Sequence, residues 1–163
     1  MKIPIVDEED NIIGHKEREE ITSDDIYRIT AIWITDENGN ILLQKRSMNR
    51  KNSPGIWGPA ASGTVEEGET YESNAYKELE EEIGVKGIKL VESKKFFRNL
   101  KNGKKFTKLF LGQIPSNYNF VLQQEEVDQV KWLSVKELLE AYKEKPDEYA
   151  NFIEVLIDFL GYK

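Results

Sequence analysis

Between Gly63 and Val85 runs the segment that most limits what this chain can become: a loop bounded by glycines leads into a helix whose buried and acidic positions lie side by side. The spacing predicts a helix over 70–83. At about 100° per residue, Ala75, Leu79 and Ile83 fall on one side and form a buried stripe. With Glu78 set at zero, Glu82 lies near 40° and Glu81 near 300°, while the stripe spans about 60° to 140°. Glu78 and Glu82 therefore border apolar surface. A solvated helix would keep its acids opposite the seam, where Glu80 and Lys77 sit.

This placement is costly. Glu78 with Glu81 and Glu78 with Glu82 are like-charge pairs at the spacings that touch on a helix. Lys77 can pair with Glu81 four residues on, but one ammonium does not neutralise three carboxylates. Hard divalent cations do, because Mg²⁺ favours carboxylate oxygens and keeps positions open for water and phosphate oxygens. Thr70 is suited to cap the start of the helix and Gly84 to end it in a left-handed conformation. Gly63 and Gly68 allow the preceding loop tight turns and close backbone approach to a ligand.

The rest of the chain frames that helix. Ile3–Val6 and Ile12–Lys16 flank the acidic turn Asp7–Asn11 and read as a hairpin. Tyr27–Thr35 and Ile41–Lys45, separated by Asp36-Glu37-Asn38-Gly39-Asn40, read as a second. Further strands are expected at Lys89–Arg98, Lys105–Gln113 and Val127–Leu133, with Lys101-Asn102-Gly103-Lys104 turning between the first two. A second helix is expected from Ser134 to Glu144. A third, opened by Pro146, carries Tyr149, Phe152, Ile153, Leu156, Phe159 and Leu160 as a core stripe. Hairpins around one helix, with helices at the end, indicate a layered α/β or α+β fold in one domain, 1–163.

Composition removes several functions. The chain has 163 residues, no cysteine and one histidine, His15, which is expected to be exposed on the first hairpin. Thiolate nucleophiles, sulfur-built zinc sites and histidine-rich metal sites are excluded. A net charge of -7 argues against general binding to nucleic-acid polymers. The charged N-terminal residues and the lack of a long apolar run point to a cytoplasmic protein with no membrane segment.

The residues from Gly63 to Val85 resemble the Nudix box, Gly-x5-Glu-x7-Arg-Glu-U-x-Glu-Glu-x-Gly-U, where U is a bulky aliphatic residue. Gly63, Glu69, Glu78, Leu79, Glu81, Glu82, Gly84 and Val85 fill eight of its nine specified positions. Lys77 stands where the family has arginine; it keeps the charge but lacks the planar fork, which implies a looser grip on neighbouring carboxylates. The resemblance implies an α/β/α sandwich with a mixed sheet, an N-terminal hairpin and C-terminal helices, with the box as loop and helix.

The resemblance also implies a hydrolase that cleaves a diphosphate linkage in a nucleoside diphosphate derivative or related small organic diphosphate. Glu78, Glu81 and Glu82 would bind Mg²⁺, with Mn²⁺ as a substitute, together with backbone carbonyls near Ser62 or Gly63. Glu69 would brace the loop. Water would attack phosphorus, with a carboxylate accepting its proton. Glu78 is one candidate for that base, and Glu125 or Glu126 in a later loop another. Arg46 and Arg50, with Lys45, are candidates to meet substrate phosphates. Trp57, Phe97 and Phe110 read as core more readily than as stacking platforms. A homodimer is compatible with the family.

The opening Ile-Pro-Ile-Val-Asp-Glu-Glu-Asp-Asn-Ile-Ile-Gly, with Leu-Gln-Lys-Arg-Ser and Pro-Gly-Ile-Trp, is similar to the Nudix branch that contains isopentenyl-diphosphate isomerase. That enzyme needs a cysteine near the position of Ser62 and several histidine ligands, so isomerisation is the disfavoured reading. A non-catalytic nucleotide-binding sensor on the same fold is a third. It leaves the costly glutamates without a use.

Overall fold

The computed structural model describes residues 1–101 and 103–162. Among the described residues, nine strands and three α-helices follow as β1 (Lys2–Val6), β2 (Ile12–Glu17), β3 (Ile26–Thr35), β4 (Ile41–Arg46), β5 (Trp57–Pro59), β6 (Ala61–Thr64), α1 (Tyr71–Ile83), β7 (Val91–Leu100), β8 (Gly103–Gln113), β9 (Val127–Leu133), α2 (Val135–Glu144) and α3 (Asn151–Leu160). Asn102, inside the expected Lys101–Lys104 turn, lies outside the described residues. Among the described residues no helix is long and apolar enough to cross a membrane.

The strands form one mixed sheet sandwiched between helices, as the alternation along β3 requires. Ile32 and Ile34 face α1 and pack with Ala75, Leu79 and Ile83. Ala31 and Trp33 face the other way and join Leu138 of α2 with Phe152, Ile153 and Leu156 of α3. A strand covered on both faces carries apolar residues at successive positions, as β3 does. The period of two thus assigns each residue to one of two cores.

The second hairpin is short. β3 and β4 pair only at Ile34↔Leu42 and Thr35↔Ile41. Beyond that the strands part, because β3 is claimed by antiparallel β6 on one side and by parallel β8 on the other. β4 instead pairs with β5 and β9. The sheet therefore forks into two wings, one built on β3, β6, β8 and β7, the other on β4, β5 and β9. β5 and β6 are too short to announce themselves by periodicity, and the sequence reading omitted both.

Three expectations need correction. Pro146 does not open α3; it starts a separate 3-10 turn, Pro146–Glu148, and Tyr149 follows in extended conformation. The cause is Trp57, whose carbonyl accepts a hydrogen bond from the Ala150 amide at 2.8 Å and draws the segment alongside β5 before the helix begins. Phe159 of the expected core stripe is 41% exposed, and Ile157 is buried on α3 at 2%. Phe97, expected in the core, is half exposed. Its neighbour Phe96 packs against the α3 core instead, so Phe97 points to the opposite face of β7 and meets the ring of Phe106. Trp57 and Phe110 are buried. His15 is exposed on β2.

Candidate functional site

α1 begins where the Thr70 hydroxyl accepts the Ser73 amide at 3.0 Å, and ends at Gly84 with a φ of 72°. Its last turn contains Glu80, Glu81 and Glu82 and no basic residue. The negative pole of the helix therefore adds to their mutual repulsion. The terminal carbonyls are satisfied from outside: the Val121 amide donates to Ile83 at 3.1 Å and the Gln123 amide to Glu82 at 3.0 Å. These two bonds tie residues 121–123 to the end of α1, and the same connection delivers Glu126.

Three carboxylates meet at that junction. One oxygen each from Glu78, Glu82 and Glu126 lie within 4.8 Å of one another. Glu82 is 4% exposed. Its Oε1 accepts hydrogen bonds from Gln44 Nε2 at 2.9 Å and from the Ser62 amide at 3.1 Å. No donor among the described residues reaches Oε2. Burial, and then the charge of Glu78, push the Glu82 carboxyl up to about 8 against the pull of Gln44 and Ser62. Burial likewise pushes Glu78 up to about 7; Lys77 opposes it, and Glu81, Glu126 and Glu69 reinforce it. Carboxyls so disposed are acidic groups short of positive charge.

Gly63 explains how Glu78 fits. A Cβ built on Gly63 would collide with the carboxyl carbon, Cγ and Oε1 of Glu78. The bare backbone of Gly63, which also lines the cleft described below, is what leaves room for this side chain. Asn74, fully buried, donates from Nδ2 to the Thr64 carbonyl at 3.0 Å, to Glu69 Oε1 at 3.2 Å and to Glu78 Oε1 at 3.4 Å. Sequence reasoning missed it, and its position four residues before Glu78 was the available signal.

Lys77 does not pair with Glu81. Its Nζ lies 2.8 Å from Glu69, 3.1 Å from Glu66 and 3.7 Å from Glu78. The side chain runs back toward the helix N-terminus, as helical side chains do, and so meets the 66–69 loop rather than the next turn. Burial alone would lower its pKa, yet the hydrogen bonds of Glu69 and Glu66 raise it well above the usual lysine value. Glu69 also accepts the Glu66 amide at 2.8 Å, which closes the loop on itself.

The remaining candidates divide. Glu81 is exposed and lines the cleft described below; Glu125 is exposed and outside the cluster. Arg50 lies 3.5 Å from Glu126. Arg46 donates from Nε to the Asn52 carbonyl at 2.9 Å; burial and Arg50 lower its pKa while Glu82 and Glu126 raise it. Lys45 turns toward Asp128 at 3.9 Å. A cleft of about 1160 Å³ opens over the carboxylates, with Gln44, Arg46 and Gly58 from one wing of the sheet facing Ile29, Thr107 and Arg98 from the other.

This geometry has parallels. The family model of the NUDIX domain matches residues 26–156. An uncharacterised Nudix hydrolase of Yersinia pestis is 33% identical over 137 residues, which cover 83% of this chain and 74% of that protein. Isopentenyl-diphosphate Delta-isomerase 2 of Photorhabdus laumondii is 29% identical across 98% of this chain and 92% of its own. Among solved structures, the DR0079 protein of Deinococcus radiodurans superposes with a TM-score of 0.82 at 18% identity, covering 96% of this chain and 97% of that one.

Proposed function

The chain belongs to the Nudix hydrolase family, and we propose from that premise that it hydrolyses a diphosphate linkage in a small organic diphosphate, with Mg²⁺ seated by Glu78, Glu82 and Glu126. The observation that carries the reading is the convergence of those three carboxylates at one end of the cleft. The donor set fits a hard cation: all ligands are oxygen, Glu82 is buried, and burial with mutual repulsion pushes the Glu78 and Glu82 carboxyls up. When bound, such a cation supplies charge neutralisation at the phosphoryl oxygens.

The chain's own residues supply the rest. Gln44 and the Ser62 amide fix one oxygen of Glu82, and the other would be available to hold the cation. Asn74 and Lys77 hold Glu78 from the helix side, and the absence of a side chain at Gly63 gives it room. Water attacks phosphorus, the bond to the bridging oxygen breaks, and Glu78 or Glu126 takes the proton. Glu81, on the cleft side of the same helix, is the candidate ligand for a further cation. The acid/base cysteine of the isomerase branch has no counterpart here, since the chain contains none and Ser62 stands near its position. We assign this activity to one domain spanning 1–163.

The test is turnover of a panel of nucleoside diphosphate derivatives, dinucleotide polyphosphates and prenyl diphosphates, with Mg²⁺ and with chelator, beside Glu82→Gln. Hydrolysis that requires Mg²⁺ and falls by about a hundredfold or more in the variant is expected, because loss of a ligand should exceed the roughly 10–100-fold effect of losing a supporting contact. Equal rates in both proteins would remove Glu82 from the mechanism.

A further inference from the structure

The cleft has a second chemical character on the sheet face that packs against α3. Parallel pairing sets Tyr27 beside Lys105 and Ile29 beside Thr107, and antiparallel pairing sets Arg98 opposite Lys105. All five side chains line the cleft. Arg98 and Lys105 are half-buried, and like charges directly opposite on neighbouring strands repel. Neither lies within ion-pair distance of a carboxylate among the described residues.

Aromatic faces cushion the cations without neutralising them: Arg98 lies 4.6 Å from the Phe152 ring centroid and Lys105 5.5 Å from that of Tyr27. Burial, and then the charges of Arg98, Arg46 and Arg18, depress the Lys105 ammonium below the ordinary lysine value. Two residues along β8 from Lys105, Thr107 is 2% exposed and its hydroxyl has no hydrogen-bond partner among the described residues. A buried hydroxyl left unpaired near half-buried cations has hydrogen-bonding capacity to offer an anion.

We propose that this floor is a second anion seat, which binds a phosphomonoester carried on the organic part of the substrate, with Arg98 and Lys105 supplying charge and the Thr107 hydroxyl a hydrogen bond. The preferred substrates are then diphosphates that bear a further phosphate. The substrate role rests on the hydrolase reading above; the anion seat itself does not.

Two experiments separate them. In the first, inorganic phosphate is titrated calorimetrically into metal-free protein at low salt, so that the carboxylate site contributes nothing. Saturable binding is expected, weakened at least about tenfold by Lys105→Met or Arg98→Met, the weight of one charge-assisted hydrogen bond, and largely retained by Lys105→Arg. Thr107→Val, which keeps the shape of the side chain, should also weaken it. Circular dichroism verifies that each variant is folded.

In the second, turnover of ADP-ribose and of its 2′-phosphate is compared in Mg²⁺. The phosphorylated compound should show a KM lower by about tenfold, an advantage lost in Lys105→Met. Absence of phosphate binding by folded wild type, or equal binding by the Met variants, overturns the seat. Phosphate binding with no KM advantage gives the cluster to the diphosphate itself and overturns the second-anion assignment. Failure of wild type to turn over any diphosphate refutes the hydrolase reading, while the first titration still decides the seat.

Discussion

Glu78 and Glu82 are pushed to about 7 and about 8, from an ordinary value of 4.5. Between those limits the folded protein holds protons that the unfolded chain has released, so their stabilising contribution is complete below about 4.5 and is lost as pH rises through 7 to 8. Glu82→Gln keeps an acceptor for Gln44 and Ser62 but removes the charge. In chelator at pH 9 the variant should be more stable than wild type by on the order of 3 kcal/mol, with the gap closing near pH 5. Urea unfolding at the two pH values measures this; an equal gap at both would show that the effect is not one of charge. Gly63→Ala tests the same site sterically. The added methyl occupies the position of the Glu78 carboxyl, so Mg²⁺ affinity should fall about tenfold or more while the far-ultraviolet spectrum is retained.

At the scale of elements, α1 was legible in the sequence because seam, cap and terminator agree: Thr70 caps it, Ala75, Leu79 and Ile83 are buried, and Gly84 ends it in the left-handed region. β9 was legible for its branched and aromatic residues, and α2 for Ser134. The β5–β6 region was not, since three- and four-residue strands are defined by the partners that claim them rather than by any period of their own. For the same reason Gln44 and Thr107 could not be placed: their importance comes from β3 pairing with β8 and from β4 turning toward α1, contacts between distant parts of the chain. The choice between Glu125 and Glu126 likewise depended on how residues 121–123 dock on the end of α1. Gly84→Ala probes that docking. A Cβ there meets Val121 at 2.8 Å on a backbone with positive φ. The expected cost is about 1–3 kcal/mol, with faster hydrogen exchange at the Val121 and Gln123 amides. Destabilisation without faster exchange at those two amides would uncouple the loop from the helix end.

On the scale of the whole molecule, the fork in the sheet makes the cleft. β3 binds one set of strands and β4 another, α1 spans both, and the space between the wings receives carboxylates from one side and cations from the other. The fold holds acids close together at the negative end of a helix, an arrangement whose cost a divalent cation would relieve. Calorimetric titration of Mg²⁺ at pH 8 into wild type, Glu82→Gln and Glu126→Gln tests this most directly. Saturable binding to wild type, weakened about tenfold or more in each variant, is the predicted result. Wild-type affinity in both variants, or no saturable binding to the folded wild-type protein, would contradict it.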